Sequence, residues 1–322
     1  MNARVLVTSR SFGTGGRDLA RELVDAGYDI VRAAPAHTLD DLAAVLPDVD
    51  GWIAGTGPIT EAHLELAPRL RVISRYGVGF EKVDVTSAAA RGITVTNTPG
   101  ANSPAVAEHT VALLMAALRG IPAADRRVRR GDWSAWMARE LSALTIGVVG
   151  LGRIGRLVID RLSGFGPRVL GVDPWVAPSD PLFEVITPTD VPTLAREADV
   201  LTLHAPGGQT VIDTDWLAAS DRPVLIVNTA RADLVDETAL ADAIRRGRVS
   251  AYAADTLATE NHGSGNDDGA SPLLAPDLID QVIITPHLAA QTREGVDGMG
   301  GLATENLRAV LEGRRPPYPV AS

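Results

Sequence analysis

A glycine-rich turn between a strand and a helix constrains the fold of this chain more than any other feature. Residues 146–149 are apolar and strand-like, residues 150–155 read Gly-Leu-Gly-Arg-Ile-Gly, and a helical pattern then continues to Phe165. In such a turn the first glycine permits a tight bend, the second lets a pyrophosphate approach the backbone, and the third lets helix and strand pack closely. The pattern therefore predicts a Rossmann-type domain with a dinucleotide at the N-terminus of the helix, where unpaired N–H groups favour anions.

An acidic residue follows at the position that this kind of turn requires. The next strand pattern, residues 168–172, ends at Asp173, about 20 residues after the glycines. A carboxylate at that point accepts hydrogen bonds from the ribose hydroxyls of the adenosine and repels a 2′-phosphate. We therefore expect the cofactor to be NAD rather than NADP. The cofactor-binding residues that the motif predicts are Gly150, Gly152, Arg153, Ile154, Gly155 and Asp173.

Strand and helix patterns alternate along most of the chain, which predicts parallel sheets covered by helices on both faces. The expected strands are residues 5–8, 29–33, 51–54 and 71–74 in the first part and 146–149, 168–172, 200–203, 224–227, 251–254 and 282–284 in the second. A helical pattern over about 292–312 is expected to return to the first part. The fold class is thus α/β, with two doubly wound parallel-sheet domains, one flavodoxin-like and one Rossmann-type.

Composition excludes several classes of protein. The chain has no cysteine, so it has neither disulfides nor thiolate metal sites. Its histidines show no metal-ligand spacing, and His37 and His63 carry no signal beyond that of surface residues. Its net charge of −10 argues against nucleic acid as a partner. The apolar runs are shorter than the roughly 18 residues that span a bilayer, and no signal layout opens the sequence. We expect a cytoplasmic protein that binds neither membrane nor nucleic acid, and we expect the arginine cluster at 126–130 to be a solvated helix end.

Five further segments, in this order, resemble signatures of the D-isomer-specific 2-hydroxyacid dehydrogenase family, which includes phosphoglycerate, glyoxylate/hydroxypyruvate and D-lactate dehydrogenases. They are a substrate-carboxylate loop at 75–80, the start of the interdomain helix at 99–109, an arginine signature at 228–237, an alanine-rich strand end at 252–255 and a histidine signature at 285–292. The resemblance implies a substrate domain of residues 1–98 plus 290–322 and an NAD-binding domain of residues 99–289. It also implies hydride transfer at C2 of a small D-2-hydroxy acid.

The resemblance implies a catalytic set of Arg231, Glu260 and His287. A secondary alcohol that loses a hydride must also lose a proton, and histidine is the side chain whose pKa suits that base. Glu260 is expected to hydrogen-bond the imidazole and raise its pKa. The planar guanidinium of Arg231 suits a carboxylate and a carbonyl oxygen. Further implied residues are Arg75, Tyr76, Gly77, Val78 and Gly79 for the substrate carboxylate, Asp255 for the nicotinamide carboxamide, and His204 and Ala230 for the cofactor pocket.

Several alternatives remain open at this point. Phosphoglycerate dehydrogenases are the most similar members by pattern, but Trp133 is followed by Ser134 where those enzymes have an arginine, and no regulatory domain is expected. Arg75 remains available for a phosphate or phosphonate on the substrate. Some proteins of this family are NAD-sensing corepressors that bind peptides, and a formate-type dehydrogenase is a third alternative. The apolar helix expected at 104–118 suggests a homodimer contact.

Overall fold

The computed structural model describes residues 2–220, 222–259 and 270–320. The chain forms two compact units, one of residues 1–105 together with 290–322 and the other of residues 106–289. The chain returns to the first unit after residue 289, where a domain boundary was expected. It first leaves that unit after residue 105, several residues beyond the boundary expected at residue 98. No described helix is both long enough and apolar enough to cross a bilayer.

The first unit is built on a parallel sheet, and its described strands are Arg4–Val7 (β1), Asp29–Arg32 (β2), Gly51–Ala54 (β3), Val72–Arg75 (β4) and Thr94–Thr96 (β5). Their order is β2-β1-β3-β4-β5, which is the flavodoxin-like order. β1 and β3 are apolar and almost wholly buried, as strands covered on both faces must be. β5 was not predicted from the sequence.

The second unit is built on a larger parallel sheet, and its described strands are Thr145–Val149 (β6), Arg168–Val172 (β7), Thr187–Pro188 (β8), Val200–Leu203 (β9), Val224–Asn228 (β10), Val249–Ala254 (β11) and Val282–Ile284 (β12). The order is β12-β11-β10-β9-β6-β7-β8. It contains the Rossmann order with one extra strand beyond it, and the direction of winding reverses between β6 and β9. The prediction of two doubly wound sheets is confirmed; the two-residue strand β8 was not foreseen.

Helices connect most of these strands and cover the sheets. They are Leu19–Asp25 (α1), Leu39–Leu42 (α2), Glu61–Glu65 (α3), Val85–Ala90 (α4), Ser103–Leu118 (α5), Ile121–Arg129 (α6), Arg153–Ser163 (α7), Val191–Glu197 (α8), Thr214–Ala219 (α9), Glu237–Arg245 (α10) and Arg293–Leu311 (α11). Aspartates cap the N-termini of α1, α4, α8, α9 and α10 through bonds to backbone N–H groups. α11 packs on β3 and β4 and buries Leu307 in the core of the first unit.

A buried polar network lies beside the carboxyl ends of β1 and β3. The Thr8 hydroxyl is 2.6 Å from Nε2 of His37 and accepts a bond from Nε1 of Trp52 at 2.9 Å. His63 Nε2 lies 2.7 Å from the carbonyl oxygen of His37. His37 and His63 are only 1% and 4% exposed. The expectation that these two histidines are surface residues is therefore wrong, because tertiary packing supplies each ring with polar partners.

We expect His37 to make the stability of this unit depend on pH. Burial lowers the pKa of His37 to about 4, against about 6.5 in an unfolded chain. Between these values the unfolded chain binds the extra proton, so stability falls as the pH falls from about 6.5 towards 4. At about pH 5 the loss relative to pH 7.5 is about 2 kcal/mol.

His37→Asn provides the comparison, because His37 has φ 57° and asparagine tolerates that left-handed conformation. Urea unfolding at the two pH values measures the effect. The stability difference between them should be smaller in the variant by about 2 kcal/mol. An equal difference in both proteins would show that His37 does not carry this pH dependence.

Candidate active site

The glycine-rich turn joins β6 to α7, and its three glycines meet different surroundings. Gly150 has φ 91° and a Cβ there would lie 2.6 Å from the carbonyl of His204. A Cβ on Gly155 would overlap the carbonyl oxygen of Gly150. A Cβ on Gly152 would meet no described atom within 4 Å. Gly150 and Gly155 are thus required by the fold, whereas Gly152 borders open space at the start of α7, where a pyrophosphate fits.

Replacing Gly152 with alanine should therefore weaken cofactor binding without weakening the fold. The added methyl group fills the space that the diphosphate would take, so we expect the Kd for NADH to rise by about tenfold or more. Gly155→Ala is the contrasting variant, because it forces α7 away from β6 and should lower stability by more than about 2 kcal/mol. NADH titration and urea unfolding of both variants measure the two effects. Unchanged NADH affinity in Gly152→Ala would contradict the assignment of the turn.

Asp173 follows β7, and its carboxylate accepts bonds both from the glycine turn and from its own loop. Its Oδ2 accepts a hydrogen bond from the N–H of Leu151 at 2.8 Å, and its Oδ1 accepts one from the N–H of Trp175 at 2.9 Å. The carboxylate is therefore held beside the glycine turn, in the position expected for a contact with ribose hydroxyls. Trp175 is 91% exposed.

His204 follows β9, on the other side of the point where the sheet reverses its winding. Its Nε2 lies 2.9 Å from the Thr202 hydroxyl, and its Nδ1 is buried without a hydrogen-bond partner among the described residues. Burial lowers the pKa of His204 to about 3, so the ring is neutral at pH 7. In doubly wound folds, ligands bind outside the carboxyl ends of the strands at such a reversal. An unpartnered ring nitrogen there fits the wall of a cofactor pocket.

Arg231 follows β10, and its loop is fixed by Asn228 at the end of that strand. The Asn228 side chain accepts a bond from the N–H of Ala230 at 3.0 Å and donates one to the carbonyl oxygen of Arg231 at 2.8 Å. Nη1 of Arg231 donates to the carbonyl oxygen of Ala230 at 2.8 Å. Arg231 as a whole residue is half-buried. Roles for Arg231 and Ala230 were predicted from the sequence, whereas none was predicted for Asn228.

His287 follows β12, and Asp255, at the end of β11, fixes its backbone. The Asp255 carboxylate is 1% exposed. Its Oδ1 accepts bonds from the Thr285 hydroxyl at 2.5 Å and the N–H of Leu288 at 2.9 Å, and its Oδ2 accepts one from the N–H of Ala289 at 2.8 Å. The N–H of His287 donates to the carbonyl oxygen of Asp255 at 3.1 Å. These bonds hold His287 at φ 51°.

The candidate residues of the second unit therefore share one edge of its sheet. β10, β11 and β12 are neighbours, so Arg231 and His287 follow strands separated by one strand, with Asp255 between them. The glycine turn, Asp173 and His204 follow β6, β7 and β9 at the same carboxyl edge. One surface thus combines an arginine, a histidine and an anion-binding turn, which suits hydride transfer at a carbon that carries a hydroxyl and a carboxylate.

The loop predicted to bind the substrate carboxylate follows β4 in the first unit. Arg75 is 5% exposed and its Nε donates to the carbonyl oxygen of Gly79 at 3.0 Å. The N–H of Tyr76 donates to Ala54 and that of Gly77 to the Thr98 hydroxyl, and the Tyr76 ring lies in the core. Because the N–H groups of Tyr76 and Gly77 already donate within the protein, the backbone donors that this loop could offer to a carboxylate are those of Val78 and Gly79. Its role in substrate binding stays a prediction.

Comparison with known proteins decides the family. The family model for the D-isomer specific 2-hydroxyacid dehydrogenase, NAD binding domain, matches residues 111–289, which is more than half of the chain. The chain belongs to the D-isomer-specific 2-hydroxyacid dehydrogenase family. Residues 111–289 therefore contain the NAD-binding domain of that family, in agreement with the cofactor expected from the glycine turn and Asp173.

Relatives within this family differ in their names and lengths. D-3-phosphoglycerate dehydrogenase of Mycobacterium tuberculosis is 40% identical over 293 residues, which are 89% of this chain and 54% of the relative. Glyoxylate reductase of Thermofilum pendens is 37% identical over 282 residues, which are 81% of this chain and 78% of the relative. The crystal structure of the TT0316 protein of Thermus thermophilus is 33% identical with a TM-score of 0.86, covering 99% of this chain and all of that one. The chain spans about half the length of the phosphoglycerate dehydrogenases that it matches.

The family resemblance also implied roles for Glu260 and Asp255. Glu260, the expected partner of the imidazole, lies outside the described residues, and its role stays a prediction. The contact of Asp255 with the nicotinamide carboxamide also stays a prediction; in the structure its carboxylate accepts bonds from the segment that carries His287. No sequence signal pointed to this second role, because the parallel pairing of β11 with β12 is what brings Asp255 to the Thr285-Pro286-His287 segment.

Proposed function

We propose that the protein is an NAD-dependent D-2-hydroxyacid dehydrogenase, which transfers a hydride between the nicotinamide and C2 of a small 2-hydroxy or 2-keto acid. The observation that carries the proposal is the shared carboxyl edge of the second sheet, where Arg231 and His287 follow β10 and β12, on either side of β11, and the glycine turn follows β6. Residues around Gly152, Asp173 and His204 would hold the cofactor. When bound, NAD supplies the carbon that accepts or returns the hydride.

The side chains of this chain would handle the substrate and the proton. The imidazole of His287 accepts the hydroxyl proton during oxidation and returns a proton to the carbonyl oxygen during reduction. Glu260 stabilises the imidazolium that forms. The guanidinium of Arg231 binds the substrate carboxylate and carbonyl oxygen and favours negative charge on that oxygen. Asp255 fixes the backbone that presents His287.

The proposed substrate class includes acids with and without a phosphate or phosphonate group. Relatives named D-3-phosphoglycerate dehydrogenase and glyoxylate reductase match this chain to similar extents, which supports both. We also propose a cytoplasmic homodimer. The last turn of α5 is only half-buried, and Trp133 and Met137 beyond α6 are 80% and 98% exposed, so an apolar surface adjoins the helix that was expected to form the contact.

A panel of 2-keto acids tests the proposed activity. Glyoxylate, hydroxypyruvate and phosphonopyruvate are each offered with NADH and with NADPH, and absorbance of the reduced cofactor is followed. We expect turnover with at least one acid and a preference for NADH. NADH binding without turnover of any acid, together with capture of a peptide ligand, would instead favour the corepressor alternative.

A further inference from the structure

An arginine lies beside the residue that is expected to recognise the ribose. Arg156, in the first turn of α7, donates from Nε to the carbonyl oxygen of Leu151 at 2.9 Å. The N–H of the same residue, Leu151, donates to Oδ2 of Asp173 at 2.8 Å. The backbone N–H and carbonyl groups of Leu151 therefore connect the Asp173 carboxylate to the Arg156 guanidinium. The charges of Arg156 and Asp173 also interact. The pKa of Arg156 is raised first by its bond to Asp180 and also by the charge of Asp173.

A second carboxylate, that of Asp180, binds the Arg156 guanidinium. Nη1 and Nη2 of Arg156 donate to Oδ1 and Oδ2 of Asp180 at 2.9 and 2.7 Å, a two-pronged ion pair. Asp180 is fixed in turn, because its Oδ1 also accepts from the N–H of Leu182 and caps a short 3-10 helix at Pro181–Glu184. The Arg156 bond and the Leu182 bond lower the pKa of Asp180 to about 2, so the pair is fully charged at pH 7.

The balance of charge at this place disfavours a phosphate. Asp173 and Asp180 carry two negative charges against one positive charge on Arg156. Without Asp180, the two Nη groups would be released towards solvent while Nε kept the guanidinium beside Asp173. A planar guanidinium with two available N–H groups is the typical receptor for a phosphate dianion.

We propose that Asp180 is a determinant of cofactor preference: by pairing with Arg156 it withholds that guanidinium from the 2′-phosphate of NADP, and it acts together with Asp173. The inference rests on the proposed use of NAD at this edge of the sheet. It assigns the discrimination between NAD and NADP to Asp173 and Asp180 together rather than to Asp173 alone. Asp180 thus acts through Arg156, as a positioning residue.

Asp180→Asn tests the proposal, since asparagine keeps the helix cap but removes the charge. Binding of adenosine 2′,5′-bisphosphate and of AMP is measured by calorimetry, and the NADPH-to-NADH ratio of kcat/KM is measured beside it. We expect the variant to raise the relative affinity for the bisphosphate by about tenfold, as one released charge-assisted hydrogen bond would do. The gain should also appear in an Asp173→Asn background. Arg156→Gln added to Asp180→Asn should abolish it.

The matched control is Asp277→Asn, which breaks the exposed Arg245–Asp277 pair of 2.7 Å elsewhere in the same unit and should leave the ratio unchanged. The proposal is overturned if Asp180→Asn changes the affinity for the bisphosphate relative to AMP by less than about twofold in both the unmodified and the Asp173→Asn chain. It is also overturned if the gain survives Arg156→Gln, or if Asp277→Asn produces the same gain. These outcomes are distinct from failure of the proposed function. Binding of the adenosine nucleotides is measured without turnover, and absence of 2-keto acid reduction would refute the function alone.

Discussion

Replacing His287 with asparagine should lower kcat by about a thousandfold while the chain still folds and binds NADH. The expected loss follows from the role proposed for the imidazole, because no other group of the histidine signature exchanges a proton near neutral pH. Asparagine is the suitable replacement because His287 has φ 51° and asparagine accepts that left-handed backbone at little cost. The bonds that the N–H groups of Leu288 and Ala289 donate to the Asp255 carboxylate should therefore survive.

The measurement combines steady-state rates with NADH titration. His37→Asn is the matched control, since His37 is the other described histidine with positive φ and has no proposed part in the reaction; that variant should keep most of its kcat. A second readout is the pH profile of kcat/KM, whose limb near neutrality should disappear in His287→Asn. An active variant with an unchanged pH profile would exclude His287 as the proton carrier.

Replacing Arg231 with lysine should lower kcat/KM for the 2-keto acid by about a hundredfold or more. Lysine keeps the positive charge but cannot donate two parallel hydrogen bonds to the carboxylate and carbonyl oxygens, so the transition state loses oriented bonds rather than charge. Affinity for NADH should change little. The Asn228 bonds that fix the Arg231 loop involve backbone atoms of Ala230 and Arg231, so the lysine variant should retain them.

Arg248→Lys is the control for this substitution. Arg248 lies in the same unit and donates to the carbonyl oxygens of Ala218 and Ser220. It precedes the amino end of β11, whereas the candidate site lies at the carboxyl ends of the strands. It should lose little stability and little activity. If Arg231→Lys retained the kcat/KM of the unmodified chain, the guanidinium would not be a substrate ligand.

The sequence predicted the fold where patterns were long enough to show a period. β6, β7 and β9 are apolar runs of four or five residues followed by turns or helices, and all were identified. β5 reads Thr-Val-Thr and β8 reads Thr-Pro, so neither has the apolar run by which the equally short β12, Val-Ile-Ile, was identified. These strands are defined by pairing with neighbours already in the sheet, which is tertiary information. α6 was anticipated only as a basic helix end, and its Arg126 pairs with Asp280.

The residues of the candidate site were found from motifs, but their supporting bonds were not. The order of β10, β11 and β12 places Asp255 between the segments of Arg231 and His287, and no spacing in the sequence predicts that order. The bidentate contact of Arg156 with Asp180 spans 24 residues and carries no sequence signature. His37 and His63 were expected at the surface because polar residues usually lie there; their buried partners come from distant segments.

Transfer of deuterium from NADH labelled at nicotinamide C4 tests the central claim most directly. The unmodified protein is given NADH with deuterium at both C4 positions and hydroxypyruvate, or phosphonopyruvate if that acid is reduced faster. The product is examined by mass spectrometry and chiral chromatography. Direct hydride transfer predicts a D-2-hydroxy acid with deuterium at C2. Product with solvent hydrogen at C2, product of L configuration, or no reduction of any 2-keto acid in the panel would contradict it.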